Sequence, residues 1–132
     1  IFAARRGVEI SVIVPSVPDH YLTFCIGKTY LKTLVENGIH VYLYKKGFIH
    51  QKTFISDDCL ATVGSINLDY RSLYHHFECG TVMYDCPVIE QIESDFQKTL
   101  ADCEEMKIED YKKIPSHTRF LGRSLRVFAP LL

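Results

Sequence analysis

His50-Gln51-Lys52-Thr53-Phe54-Ile55-Ser56-Asp57-Asp58-Cys59-Leu60-Ala61-Thr62-Val63-Gly64-Ser65-Ile66-Asn67 is the stretch around which the chain organises itself. Two β-rich runs, 48–56 and 59–63, flank Asp57-Asp58, so the segment predicts a hairpin. On a strand, His50 and Lys52 are two residues apart and share a face. The returning strand brings Gly64-Ser65 and Asn67 back alongside them. An imidazole, an ammonium, a hydroxyl and a carboxamide then converge. Lysine is a point charge for phosphate oxygens, while serine and asparagine donate hydrogen bonds. Gly64 permits close backbone approach. Imidazole serves as a nucleophile or a general acid near neutral pH. The chemistry indicated is phosphoryl or phosphatidyl transfer without a metal, with lysine and amide donors neutralising charge. Each part alone is commonplace: H-x-K pairs arise by chance, G-S-x-N is an ordinary turn, and paired aspartates punctuate hairpins.

Working outward, residues 8–14 form a β-branched run ended by Pro15, which predicts a strand buried on both faces. Asp19 can N-cap a helix over about 20–36, and Asn37-Gly38 stops it. Residues 39–44 read as a second strand. After Asn67, a short helix is expected near 69–75 and a strand at 77–84. Asp85, with Pro87 in the first turn, opens a helix to about 104 whose apolar positions recur every three or four residues: Val88, Ile89, Ile92, Phe96, Leu100 and Cys103. The fold class is α/β, a mixed β-sheet flanked by helices. A body over 1–106 is followed by a basic amphipathic tail over 107–132.

With 132 residues, the chain bounds itself to one domain. Its apolar content of 47% and charged content of 23% exclude disorder and coiled coil. Net charge is −1, so the whole chain is not a polyanion binder by charge. Charge is unevenly spread: residues 85–105 are acidic, whereas 107–132 hold Lys107, Lys112, Lys113, Arg119, Arg123 and Arg126. No run approaches the length of a membrane-spanning helix. Five cysteines with no CxxC pair point to reduced thiols, and His75, His76, Cys79 and Cys86 fit no recurrent zinc spacing. In the tail, Phe120, Leu121, Leu125 and Phe128 make one side and Arg119, Arg123 and Arg126 the other. Over 118–132 this reads as an interfacial helix on anionic lipid. The opening residues, Ile1 to Gly7, read as a helix end, so the chain is expected to be the C-terminal part of a longer protein.

His50, Lys52, Asp57, Gly64, Ser65 and Asn67 occupy every defined position of H-x-K-x4-D-x6-G-S-x-N, the motif of the phospholipase D superfamily. The flanks, Pro15 to His20, Gly47 to Ile49, Leu68 to Ser72 and Phe77-Glu78, resemble the C-terminal half of bacterial cardiolipin synthases. His76 departs from that pattern, where many relatives carry Asn. The resemblance implies a phospholipase D-like half-domain truncated at its N-terminus. It implies that His50 and Lys52 are catalytic, that Lys52, Ser65 and Asn67 hold the non-bridging phosphate oxygens, and that Glu78 orients the His50 ring. Asp57 defines the motif with them and is expected to brace the hairpin. Arg71 is a candidate for neutralising a headgroup phosphate.

Double displacement needs two such histidines, and this chain holds one motif. The resemblance implies a partner motif in a missing N-terminal half. The upstream histidine would be the nucleophile there and His50 the general acid. The implied reaction makes cardiolipin from two phosphatidylglycerol molecules through a phosphohistidine, without a cofactor and without nucleic acid, at a bacterial cell membrane. The isolated piece is then expected to be inactive, with an unpaired sheet edge. Two other readings stay open: a dimeric phosphodiesterase or nuclease of the same superfamily, and a non-catalytic phosphate- or lipid-binding module.

Overall fold

The computed structural model describes residues 1–131, and it forms two compact units: 1–49 with 102–129, and 50–101 with the chain end.

In the first unit, β1 (Ser11–Pro15) pairs in parallel with β2 (His40–Tyr44), Val12 opposite Val41. A parallel pair needs a crossover, and after the single turn α1 (Phe2–Arg5) at the chain start, α2 (Tyr21–Glu36) supplies it. The extended His20 occupies the cap position of α2, one residue beyond the Asp19 expected from sequence. At its other end, the Asn37 and Gly38 N–H groups donate to the Leu34 and Val35 carbonyls, closing the helix where expected. Val41, Ile39, Leu31, Met106 and Tyr111 make the core, joined by Val12, Val14 and Leu43. The run at 8–14 is half-buried rather than buried on both faces, because β1 lies at the edge of its sheet.

That third strand, β6 (Cys103–Glu105), lies where sequence periodicity extends a helix to about 104. It runs antiparallel to β2, Cys103 opposite Tyr44 and Glu105 opposite Tyr42. Glu104 then meets Lys45 at 2.8 Å and Glu105 meets His40 Nδ1 at 2.7 Å. Strand pairing and these ion pairs outweigh the local helical preference.

Residues 107–129 of the tail belong to the first unit. Helices α4 (Ile108–Lys113) and α5 (Ser116–Leu125) lead into a 3-10 turn at Arg126–Leu131. Thr118, Gly122 and Ala129 are buried, and Leu121 and Leu125 half-buried, at three- and four-residue steps. α5 packs on α2. A Cβ at Gly122 would lie 2.2 Å from the Cys25 carbonyl oxygen, so only glycine allows this approach. The Arg126 guanidinium sits 4.1 Å from the Tyr30 ring centre and that of Arg119 5.8 Å from the Tyr111 ring. Phe120 and Val127 stay 74% and 79% exposed. The apolar side expected from sequence is thus divided: Leu121 and Leu125 face the protein, Phe120 and Phe128 face outward. Leu132, the last residue of the tail expected on lipid, lies outside the described residues.

In the second unit, β3 (Thr53–Ser56), β4 (Leu60–Gly64) and β5 (Gly80–Tyr84) form an antiparallel sheet in that order. The strands therefore divide into two three-stranded sheets, of which only the first is mixed. Asp57 and Asp58 make the hairpin turn with φ of 49° and 55°, a region aspartate tolerates. Ile55, Ala61 and Met83 lie across from one another on one face. Helix α3 (Val88–Leu100) packs against β3 and β4, with Ala61 and Ile89 fully buried. On the other face Phe54, Val82 and Tyr84 are exposed. Asp85, expected to open α3, instead sits left-handed at φ 46° and donates its N–H to the Cys59 carbonyl.

Candidate active site

His50 and Lys52 do not lie within β3, which begins at Thr53. Lys52 still belongs to the hairpin, because the Gly64 N–H donates to its carbonyl at 3.2 Å. The Lys52 ammonium folds back and donates to the His50 carbonyl at 2.8 Å. His50 is exposed and Lys52 half-buried. His50 is thus an exposed residue in the segment that leads into the hairpin.

Gly64 ends β4 directly opposite Gly80. A Cβ at Gly64 would lie 2.4 Å from the Cys79 carbonyl oxygen and 2.6 Å from Gly80 Cα. The close approach that this glycine permits is thus to the neighbouring strand. It presses Ser65 against Cys79: the Ser65 N–H donates to the Cys79 carbonyl at 2.9 Å, and the Cys79 N–H donates to Ser65 Oγ at 3.1 Å. The Ser65 hydroxyl donates in turn to the Glu78 carboxylate. The Ser65 and Ser72 hydroxyls beside Glu78 hold its carboxyl below the usual glutamate range, and the charges of His76 and Lys52 pull it the same way.

Asn67 Nδ2 donates to Ser72 Oγ at 3.4 Å. Ser72 lies in a π-helical turn, Arg71–His75, which the His76 N–H closes on the Arg71 carbonyl at 2.8 Å. Asp69 Oδ1 accepts from the Ser72 N–H at 2.8 Å and caps the turn. Arg71, the candidate headgroup partner, rests its Nε and Nη2 on His76 Nε2 at 3.3 and 3.2 Å. At the far end of the hairpin, Asp57 is exposed and accepts from Ser56 Oγ at 3.1 Å. Four residue steps separate Lys52 from Ser56, roughly 13 Å along an extended chain.

The structure thus brings Lys52, Ser65, Asn67 and Glu78 into one polar cluster, with His50 exposed two residues before Lys52, and leaves Asp57 at the turn. Sequence reading missed Ser72, which is 7% exposed amid exposed neighbours. Its one signal was Asp69 three residues ahead, the spacing of a capping residue. A shallow cleft lined by Val35, Ile39, Met106 and Ile108 lies in the other unit and holds none of these groups. This cluster can neutralise and grip an anion with tetrahedral oxygens, through one ammonium, one hydroxyl and one carboxamide, next to a group able to carry a proton.

Known proteins resemble this chain over nearly its whole length. The chain is 43% identical over 131 residues to an uncharacterised protein of Streptococcus mutans, covering 99% of this chain and 28% of that protein. It is 33% identical over 130 residues to cardiolipin synthase 2 of Bacillus anthracis, covering 98% of this chain and 25% of that one. Against the major cardiolipin synthase of Bacillus subtilis it is 32% identical, covering 98% and 27%. The chain therefore spans about a quarter of the length of these relatives. Among solved structures, the phospholipase D family member Nuc of Salmonella typhimurium superposes with a TM-score of 0.67 at 18% identity, covering 80% of this chain and 69% of that one. Phosphatidylserine synthase of Haemophilus influenzae gives 0.66 at 19% identity, covering 98% and 35%. These two show the shared fold. The family model described as "Cardiolipin synthase, PLD-like domain" matches residues 1–100, and this chain belongs to that phospholipase D-like family.

Proposed function

We propose that the chain supplies one half of a phosphatidyltransferase site that joins two phosphatidylglycerol molecules into cardiolipin. The observation supporting this reading is the cluster of Lys52, Ser65, Asn67 and Glu78, with His50 exposed two residues before Lys52, in a chain that matches the cardiolipin synthase domain over 1–100. Lys52 and Asn67 hold the non-bridging oxygens of the substrate phosphate. Ser65 joins them by turning its hydroxyl from Glu78 to a phosphate oxygen, which accepts the hydrogen bond. The Glu78 carboxylate, kept ionised, supports the positive charge that His50 carries between proton transfers.

The reaction balances in two displacements. A ring nitrogen from a second H-x-K motif, elsewhere in the parent protein, bonds to phosphorus while the bond from phosphorus to the glycerol oxygen breaks. His50 gives its proton to that leaving oxygen, and glycerol departs. The terminal hydroxyl of a second phosphatidylglycerol then passes its proton to His50. Its oxygen displaces the ring nitrogen from phosphorus. Two phosphatidylglycerols become one cardiolipin and one glycerol, and both histidines return to their starting states. No cofactor is invoked. The exposed Phe120 and Val127, with Arg123 between them, rest on anionic lipid and hold the tail at the bacterial membrane surface.

The test is His50→Ala in the full-length parent protein, expressed in cells that make no other cardiolipin. Lipid extracts should show cardiolipin output reduced by about a hundredfold or more, the range for removing a general acid. Undiminished cardiolipin would refute the reading.

A further inference from the structure

We propose that residues 68–77, the segment between Asn67 and Glu78, form the face by which the site meets a membrane surface carrying anionic phospholipid. This inference rests on the phosphatidyl-transfer reading above, which makes the substrate a lipid. Five large apolar side chains crowd this short segment, and all are exposed: Leu68, Tyr70, Leu73, Tyr74 and Phe77. Tyr74 is 75% exposed and Phe77 wholly so. Single exposed apolar residues are ordinary, but a run of them this dense makes a patch that calls for a partner. The buried Ser72 shows which way the turn faces. Tyr70 and Tyr74 stand two residues to either side of it, about half a helical turn away, and so point outward. Their rings stack there, with centres 6.0 Å apart.

The composition of the patch favours a lipid interface over a protein. Tyrosine carries an apolar ring with a polar tip and settles at headgroup level, while leucine and phenylalanine reach the start of the acyl chains. Arg71 adds fixed charge. Its Nε and Nη2 rest on His76 Nε2 at 3.3 and 3.2 Å, which holds the guanidinium plane by one edge. The other edge, Nη1 with Nη2, has no partner among the described residues and presents the parallel donors that fit two phosphate oxygens. Asp69, the one acid in the segment, is half-buried and turned onto the Ser72 N–H at 2.8 Å, whereas Arg71, His75 and His76 are exposed. Position supplies the other reason. Asn67 and Glu78, which bracket the segment, belong to the polar cluster. A phosphatidylglycerol whose phosphate is gripped there keeps its two acyl chains in the bilayer, because exposing them to water costs more free energy than the phosphate contacts provide. The surface beside the cluster then lies at headgroup depth, and residues 68–77 are part of that surface.

The test uses the 132-residue chain with two kinds of vesicle, phosphatidylglycerol mixed equally with phosphatidylcholine, and phosphatidylcholine alone. The sequence has no tryptophan, so Tyr74→Trp puts a single indole reporter on the patch. Its emission should move to shorter wavelength on the phosphatidylglycerol vesicles and be quenched by lipids brominated near the headgroup end of their chains. Leu73→Ser combined with Phe77→Ser should lower vesicle affinity roughly tenfold or more with melting unchanged, the loss expected for two apolar side chains. Arg71→Gln should weaken binding roughly fivefold on phosphatidylglycerol vesicles and leave binding to phosphatidylcholine as it was. The proposal is overturned by a chain that binds no vesicles, or by one that binds with the indole neither shifted nor quenched. Native affinity for phosphatidylglycerol vesicles in the double variant or in Arg71→Gln overturns it too. So does an indole shift that follows protein concentration without lipid, which assigns the patch to a second copy of the chain. If Tyr74→Trp fails to fold, Phe77→Trp carries the same readout. These measurements involve no turnover, so their failure is distinct from that of the phosphatidyl-transfer reading, which an active His50→Ala enzyme sinks by itself.

Discussion

Gly64 and Gly80 face each other across β4 and β5, yet a methyl group should have very different consequences at the two positions. At Gly64 the new Cβ would stand 2.4 Å from the Cys79 carbonyl oxygen and 2.6 Å from Gly80 Cα. Both are backbone atoms, so no side chain can swing aside. The strands must part by about 1 Å to reach ordinary van der Waals contact. That separation breaks the bond from the Ser65 N–H to the Cys79 carbonyl, now 2.9 Å, and weakens the return bond to Ser65 Oγ, now 3.1 Å. Two hydrogen bonds at about 1 kcal/mol each, plus residual crowding, give a loss of about 2–3 kcal/mol for Gly64→Ala. At Gly80 the nearest atom to the new Cβ is the Val63 carbonyl oxygen at 3.6 Å, an ordinary contact. Gly80→Ala should then change stability by less than about 1 kcal/mol, and the lower entropy of its unfolded chain favours it. Urea unfolding followed by far-UV circular dichroism separates the two. At about 1.5 kcal/mol per molar urea, the Gly64→Ala midpoint should fall by about 1.3–2 M while that of Gly80→Ala stays near native. Equal midpoints for the two variants would refute the argument that strand approach, rather than glycine content, is what this site demands.

Two further outcomes follow from the same geometry. Glu78 titrates below its usual value of 4.5 in the folded protein, so its contribution to stability is complete above that pH and is lost as pH falls through the depressed value. Melting temperature plotted against pH should therefore fall less steeply below about pH 4.5 in Glu78→Gln than in the native protein. In the tail, Gly122→Ala places a Cβ 2.2 Å from the Cys25 carbonyl oxygen, so α5 should lift from α2. Trypsin should then cut at Arg119 and Arg123 several times faster than in the native chain, with unchanged cleavage arguing against the close helix contact.

Much of the site was legible from residue spacing because a hairpin is a local structure. Lys52, Gly64, Ser65 and Asn67 lie within one turn-and-return of chain, so the turn residues Asp57 and Asp58 suffice to bring them together. α2 was legible for the same reason, with both ends written close to where they fall. Ser72 was not legible. Its inward aim depends on one extra residue in a turn, and a π turn has no distinct period in six or seven residues. The pairing of Glu78 with Ser65 was hidden as well, since it arises from the register of β4 against β5.

The hydrophobic period, the turn-forming pairs and the motif spacing are properties of neighbouring residues, and they carry the α/β class, the hairpin and the membership of its polar groups. Cys103–Glu105 shows the limit: their neighbours favour helix, and β2, some sixty residues earlier, makes them a strand. The division into two sheets and the inward face of α5 are of the same kind. Each is settled by contacts between segments far apart in the chain, whose energies depend on how closely backbones approach. Gly122 against Cys25 and Gly64 against Gly80 look like any other glycines until those distances exist.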